Sequence, residues 1–426
     1  MCRVAAFVIY MIASAAAGKA TAAADGTIDQ LRSTVVAVCE HGLSDAGDLA
    51  SPIGPHTGIE DRGAVDTAFY RTVTFGDGYW SASVQLTAFA GTLRRVRGEL
   101  SRKFNSGAML PVLLIDAAGD CAVMHGRRLE YGNDDTVDRL VHLGPDLTET
   151  GGVDVLDPPL PDGRDPGGIA VAHIDSGVNY ELAHIAERLA RDAEGRILGF
   201  DFWDMDGRPF DFDTSRSPFF PIRHGTAVAS ILLREAPGSR LIPFRYPRPD
   251  MSRMADIVEA VAAAGARIVM MPLGSRSADE WSAFANAARR HPGMLFVVSA
   301  GNEGRNIDEQ PLYPASFELE NLVVVTSSDG FGRLAPGSNW GTGAVDLMVP
   351  GEKVPTTDHR GATVNASGSS FAVPRIAALS ARLLARHPDW QAPELIEALK
   401  ARSGTPMERG GSPVRWGWIP NPADDG

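Results

Sequence analysis

Cysteine is nearly absent from this chain, with three in 426 residues. That is too few for a zinc ribbon or a dense disulfide framework, so the fold must rest on a full-sized apolar core. Lysine is almost as scarce: Lys19, Lys103, Lys353 and Lys400 are the only four among 40 basic residues. Acidic residues number 53, the formal net charge is −13, and no basic cluster interrupts the acidic balance. Nucleic acid is therefore not expected as a main partner. Beyond the amino terminus there is no apolar run long enough to cross a membrane. An internal repeat and a phosphate-cradling glycine loop are also missing.

What is present is ordinary globular composition, 44% hydrophobic and 22% charged. It excludes a mostly disordered, collagen-like or coiled-coil chain. The length favours two domains over one. At the amino terminus Arg3 precedes an apolar run from Val4 to Ala17, followed by Ala20-Thr21-Ala22 and Ala22-Ala23-Ala24. This pattern reads as a secretory signal peptide over residues 1–24. The alternatives are a short buried helix or a retained anchor, but the run is shorter than the ~20 residues a span needs. Export to the exterior or the periplasm would leave Cys39 and Cys121 free to pair in an oxidising compartment. Closing so long a loop would stabilise the region by roughly 4–5 kcal/mol. Two separate buried thiols are the other possibility.

Residues 25–150 read as a small α+β region that carries no motif. Thr34–Cys39 is a short β-branched run, Trp80–Phe89 alternates like a strand, and Leu93–Phe104 has apolar and basic residues at helical spacing. Met109–Ile115 reads as another strand, and Ala122 onward as one more. The region is either a pro-segment removed after folding or a retained accessory domain. Residues 151–168, with Pro158, Pro159, Pro161 and Pro166, form a linker by composition.

From Ile169 to the end the pattern changes. Apolar runs at Ile169–Ile174, Leu241–Phe244, Ile268–Met271, Met294–Val298 and Leu322–Val325 alternate with helical segments at Thr226–Leu233, Met254–Ala264 and Glu280–Arg290. Continuous apolar strands between amphipathic helices indicate an α/β fold, a doubly wound and mostly parallel sheet with helices on both faces. Functional groups in such sheets gather at the carboxyl ends of strands.

Four segments sit at such positions. Asp175-Ser176-Gly177 ends the first run, and His224-Gly225-Thr226 opens a helix. Ser299-Ala300-Gly301-Asn302-Glu303-Gly304 follows another strand, and Gly368-Ser369-Ser370 leads into the helix Ile376–Arg386. Each has a bland reading taken alone: a turn, a capping histidine, an Asn turn, a Ser N-cap. Together they read as a serine nucleophile with its base. Ser370 is a poor nucleophile until a base takes its proton. Neutral His224 can be that base, and Asp175 can hold its tautomer and stabilise the imidazolium. Asn302 and the N–H of Ser370, at a helix amino end, can receive an oxyanion.

Asp, then His, then Ser is the chain order of subtilisin. From about Gly168 onward the sequence resembles the subtilisin-like serine proteases. Tyr313-Pro314-Ala315, Ser338-Asn339-Trp340-Gly341 and Val349-Pro350-Gly351 also match family segments in family order. The resemblance implies Asp175, His224 and Ser370 as the triad and Asn302 as the oxyanion donor. It implies that Pro272, Leu273, Gly274, Ala300 and Gly301 bind the substrate backbone. The implied activity is that of an exported endopeptidase, a monomer acting on polypeptides, with no cofactor required and no membrane association after signal cleavage. The chain departs from the family at Ser369, usually Thr, at Phe371, usually Met, at Ala227, usually His, and at Pro272, usually Ser. None of these removes a catalytic group; they bear on substrate preference.

Asp201, Asp204, Asp206, Asp211 and Asp213 crowd the stretch before His224. They are a candidate calcium site, against a plain solvated acidic loop, and their spacing does not fit an EF-hand. A lipase or esterase would want a Gly-x-Ser-x-Gly elbow and the order Ser, Asp, His, and neither is present. An acid-acting relative is excluded by His224 itself. The remaining rival is an inactive binding protein on the same fold, against which the complete set of four residues argues.

Overall fold

The computed structural model describes residues 26–43, 49–64, 67–132, 135–406 and 411–424. The expected signal peptide lies outside these residues. The chain divides into two compact units, Met1–Asp157 and Pro158–Gly426. No helix among the described residues is long and apolar enough to cross a membrane.

Among the described residues the first unit is one helix on one antiparallel sheet. Helix α1 spans 26–41. The strands are β1 (His56–Gly63), β2 (Ala68–Gly76), β3 (Trp80–Phe89), β4 (Thr92–Lys103), β5 (Met109–Ala118), β6 (Val123–Tyr131), β7 (Val137–Leu143) and β8 (Glu149–Val155). They pair strictly in chain order as an eight-stranded meander. Leu31, Val35 and Val38 of α1 bury against Val84, Leu86, Val96, Leu100 and Ile115. Gly98 makes that approach possible, since a Cβ there would lie 2.2 Å from the Val35 side chain. Cys39 on α1 and Cys121 in the β5–β6 turn form a disulfide with a Cα–Cα distance of 5.7 Å.

Three local expectations are corrected here. The β-branched run Thr34–Cys39 is helical, because Leu31, Val35 and Val38 fall on one face and their burial outweighs the weak propensity of Thr and Val for strands. Leu93–Phe104 is strand, not helix. Val96, Gly98 and Leu100 face α1 while Arg95 and Arg97 reach Asp116, so the operative period is two. The segment read as linker begins later, since β8 continues the sheet through Val155.

The second unit is α/β. Its main sheet has eight parallel strands in the order β10-β11-β9-β12-β13-β14-β15-β18. These are β9 (Ile169–Asp175), β10 (Phe200–Asp201), β11 (Ser239–Arg245), β12 (Ile268–Met271), β13 (Leu295–Ser299), β14 (Leu322–Ser328), β15 (Leu347–Pro350) and β18 (Gly417–Trp418). A small hairpin, β16 (Val354–Thr357) and β17 (Thr363–Ala366), stands apart. Beyond the short α2 (Ala183–Ala186), helices cover both faces. On one, α3 (Gly225–Glu235), α6 (Ser369–Arg386) and α7 (Ala392–Arg402) pack with Val171, Met270, Val297 and Val325. On the other, α4 (Met254–Ala263) and α5 (Ala278–Arg290) pack with Ala172, Ile174, Val269 and Phe296. Burial on both sides is why these strands read as unbroken apolar runs instead of alternating. The chain passes from β9 to β11 on one side and later to β12 on the other. The carboxyl end of β9 is therefore a switch point, where α/β sheets open a crevice.

Candidate active site

Asp175 is the last residue of β9 and is 1% exposed. A carboxylate buried that deeply must be bonded on both oxygens. Oδ1 accepts the Ser176 N–H at 2.7 Å and the Ser176 hydroxyl at 3.2 Å. His224 Nδ1 lies 2.8 Å from Oδ2 and 2.9 Å from Oδ1. His224 is the residue just before α3. The turn that brings the helix in depends on glycine: a Cβ on Gly225 would lie 2.0 Å from the Gly177 carbonyl oxygen and 3.1 Å from Asp175 Cβ. Gly177 itself has φ +94° and no room for a Cβ beside the Phe210 carbonyl.

Ser370 is the second residue of α6, half-buried where the helix leaves its first N–H groups unbonded. Pro374 lies four residues on and has no N–H, so the Ser370 carbonyl also lacks its helical partner. The neighbouring Phe371 ring sits 5.8 Å from the His224 ring, which places the start of α6 beside the histidine. The Ser370 hydroxyl makes no hydrogen bond to a described residue, and the Ser370–His224 bond is not formed. Such bonds commonly tighten only when substrate is bound.

Asn302 follows β13 in a turn held by its neighbours. Its Oδ1 accepts the Ser369 N–H at 2.8 Å and the Ser369 hydroxyl at 3.0 Å. That orients the amide and leaves Nδ2 as its free donor. Gly368, at φ +131°, is pressed against the same amide, with Asn302 Oδ1 3.0 Å from where a Cβ would sit. Ser369, which stands where the family usually has Thr, also meets Ser299 Oγ at 2.7 Å and donates to the Gly301 carbonyl at 3.1 Å. Pro272, Leu273 and Gly274 continue past β12, and Ser275 then exchanges two backbone hydrogen bonds of 2.8 Å with Tyr313. Ala300 is buried at the end of β13, and Gly301 has φ +94°.

A model of the subtilase family matches residues 167–418. The chain belongs to the subtilase family. A "Thermophilic serine proteinase" of Bacillus sp. strain AK1 is 31% identical over 233 residues, 51% of this chain and 52% of that protein. A "Halolysin-like extracellular serine protease Nep" of Natrialba magadii is 26% identical over 54% of this chain and 42% of its own. The chain thus spans about half, or less, of the length of these relatives. Among solved structures, a "cold adapted subtilisin-like serine proteinase" aligns with a TM-score of 0.49 at 23% identity, covering 62% of this chain and 95% of that one.

The electrostatics of this subtilase site centre on the Asp175–His224 pair. Burial alone would raise the Asp175 pKa, but the His224 charge and the hydrogen bonds from His173 and His224 hold it far below the carboxylate range. Burial opposes a charged His224, yet the adjacent Asp175 carboxylate outweighs it, with Asp211 and Asp213 adding, and the pKa is raised.

The carboxylates of the acidic stretch are engaged by neighbouring side chains. Asp201 and Asp204 bind Arg245, Asp206 pairs with Arg208, and Asp213 accepts the Tyr246 hydroxyl at 2.7 Å. Among the described residues no group of three His, Cys, Asp or Glu is placed to hold a metal. Asp211 has a different position. It is fully buried; Oδ1 accepts the Ser176 hydroxyl at 2.7 Å and the His224 N–H at 3.1 Å, and Oδ2 accepts the Thr226 N–H at 3.1 Å. It caps α3 and ties the Asp-Ser-Gly turn to the histidine.

Two further residues escaped the sequence reading. Asn339 staples the turn that carries Asn302: Oδ1 accepts the N–H groups of Glu303 and Arg305, each at 3.0 Å, and Nδ2 donates to the Ala300 carbonyl at 2.8 Å. Its place in the Ser-Asn-Trp-Gly segment was visible, but its role was not. His173, inside a run taken as apolar, lies against Asp175. The only signal was a polar residue two positions before a strand-ending Asp, which puts both on one face.

Proposed function

We propose that this chain is a serine endopeptidase that cleaves polypeptides through an acyl-enzyme. The observation that carries the reading is the buried Asp175 carboxylate bonded to the half-buried His224 beside the start of α6, where Ser370 stands. His224 Nε2 takes the Ser370 hydroxyl proton as Oγ attacks the scissile carbonyl carbon. The Asn302 amide and the Ser370 N–H stabilise the oxyanion. The tetrahedral species collapses as the C–N bond breaks and His224 hands its proton to the departing amine. Water, deprotonated by His224, then attacks the ester carbonyl, and Ser370 leaves with the proton restored. Leu273 and Gly274, with Ala300 and Gly301, provide backbone edges along which an extended peptide can lie. Chemistry of this kind requires no metal or organic cofactor.

Export is part of the reading. The Cys39–Cys121 bond suits an oxidising compartment, and one relative is named as extracellular. Residues 25–150 are, in this reading, either a pro-segment or a retained domain. The N-terminal sequence of the mature protein, for wild type and for Ser370→Ala, separates the two. A fluorophosphonate reagent should label wild type once, at Ser370, and leave Ser370→Ala unlabelled and inactive. Peptide hydrolysis that survives in Ser370→Ala would overturn the triad. A folded wild type that neither reacts nor hydrolyses would favour the inactive binding protein.

A further inference from the structure

We propose that His173 is a positioning residue for the Asp175–His224 pair, donating from Nε2 to the same carboxylate oxygen that receives His224. The inference rests on the triad reading above. His173 is 1% exposed on a central strand, opposite Pro243 of β11 and Met270 of β12. An imidazole there is costly to bury unless it is hydrogen-bonded. Its Nε2 lies 3.2 Å from Asp175 Oδ2, and its Nδ1 has no partner among the described residues. Those two facts assign the tautomer. With the proton on Nδ1, a buried N–H would go unbonded and the Nε2 lone pair would face a carboxylate. With the proton on Nε2, the ring gives Asp175 a donor and leaves only an acceptor unpaired.

Asp175 Oδ2 is then shared by two imidazoles, and Oδ1 is held by Ser176. The surroundings identify which groups can act on this pair. His224 approaches from α3, and Asp211 and Asp213 act on His224 from the loop before it. His359 Nδ1 stands 3.7 Å from Asp211. Arg245 on β11 is in register with Asp175, but its guanidinium bonds Asp201 and Asp204. Arg375 on α6 is engaged by Glu235 and the Pro350 carbonyl. Otherwise β12 and α6 present apolar groups to this face, such as Met270, Val373 and Ile376. His173 is therefore the donor that disperses the Asp175 charge from within the core. Dispersal makes the carboxylate less able to retain a proton on His224, and the extra bond fixes its rotamer.

The test compares His173→Leu, which lacks a donor, with His173→Gln, whose amide nitrogen reaches the place of Nε2. Peptide hydrolysis is measured from pH 5 to 10, per active site counted by fluorophosphonate titration. In His173→Leu the acid limb of kcat/KM should move up by about half to one pH unit. Its kcat should fall about ten-fold with KM nearly unchanged, and His173→Gln should restore both. A wild-type limb and kcat in His173→Leu, or equal losses in the two variants, would overturn the proposal. If His173→Leu does not fold, ¹⁵N-histidine spectra of the wild type decide: a proton on Nε2 of His173 supports the assignment, and one on Nδ1 refutes it. Ser370→Ala is assayed alongside. Activity there would defeat the triad reading, whereas the His173 tautomer is read in the wild type regardless.

Discussion

The two sheets of this chain are built on opposite plans. Among the described residues of the amino-terminal unit, eight strands pair antiparallel in chain order, and one helix covers one face. In the carboxyl-terminal unit eight strands run parallel in an order the chain does not follow, with helices on both faces. A meander closes through short local turns and brings together only chain neighbours. A doubly wound sheet lines up the ends of strands that are distant in sequence. Asp175, His224, Asn302 and Ser370 stand at such ends or at the helix starts that follow them, whereas no comparable set occurs among the described residues of the first unit. The two also differ in what holds them. The first is cross-linked by a disulfide; the second has two large cores and no cysteine.

The sharpest way to break this comparison is to remove the proposed reacting groups. His224→Ala should lower kcat by up to ~10⁶-fold, as such changes do in subtilisin, while both units still unfold as in wild type by calorimetry. A loss of folding would mean that His224 is structural. Next in size is the disulfide. Cys39→Ser should cost the first unit about 4–5 kcal/mol, since the bond spans 82 residues. Two calorimetric transitions, of which only one moves, would support independent units; a joint shift would refute independence.

Asn302→Ala should reduce kcat by ~10²–10³ and leave KM nearly intact, the range found for the corresponding loss in subtilisin. A change confined to KM would place Asn302 in ground-state binding instead. The pH profile is a smaller effect. Because Asp175 raises the His224 pKa, the base is neutral only above the ordinary histidine value of about 6.5. Activity should climb as pH rises past that value and stay high in mild alkali. A maximum near pH 4 would implicate a carboxylate base. The smallest expected effect in wild type is peroxide sensitivity. Phe371 carries no sulfur, and Met270 and Met271 are fully buried. Wild type should keep most of its activity, whereas Phe371→Met should lose it as a sulfoxide forms beside the serine. Equal, rapid losses would place the sensitive residue elsewhere.

The second unit was the more legible of the two. Its strands are buried on both sides, so Ile169–Ile174 and Leu322–Val325 stood out as apolar runs, and the Asp, His, Asn and Ser segments fell at their ends. The first unit was harder because its signals are two-fold. Leu93, Val96 and Leu100 fit a helix as well as a strand, and only the pairing of β4 with β3 and β5 decides between them. Thr34–Cys39 has the residues of a strand and the spacing of a helix, and burial against the sheet selects the helix.

By itself the sequence determined the identity of the four candidate site residues, their order, and the parallel sheet that carries them. These depend on local composition and on short motifs in which glycines allow close backbone approach. Tertiary structure alone decided which polar groups meet. Asp211 lies in an acidic stretch that suggested calcium, yet it caps α3 because the fold carries that loop beneath the helix start. His173 sits within an apolar run, yet it meets Asp175 because alternate residues share a face and the strand end is buried. A buried polar group takes its partner from whatever the packing brings within hydrogen-bond reach, and that reach is a property of three dimensions.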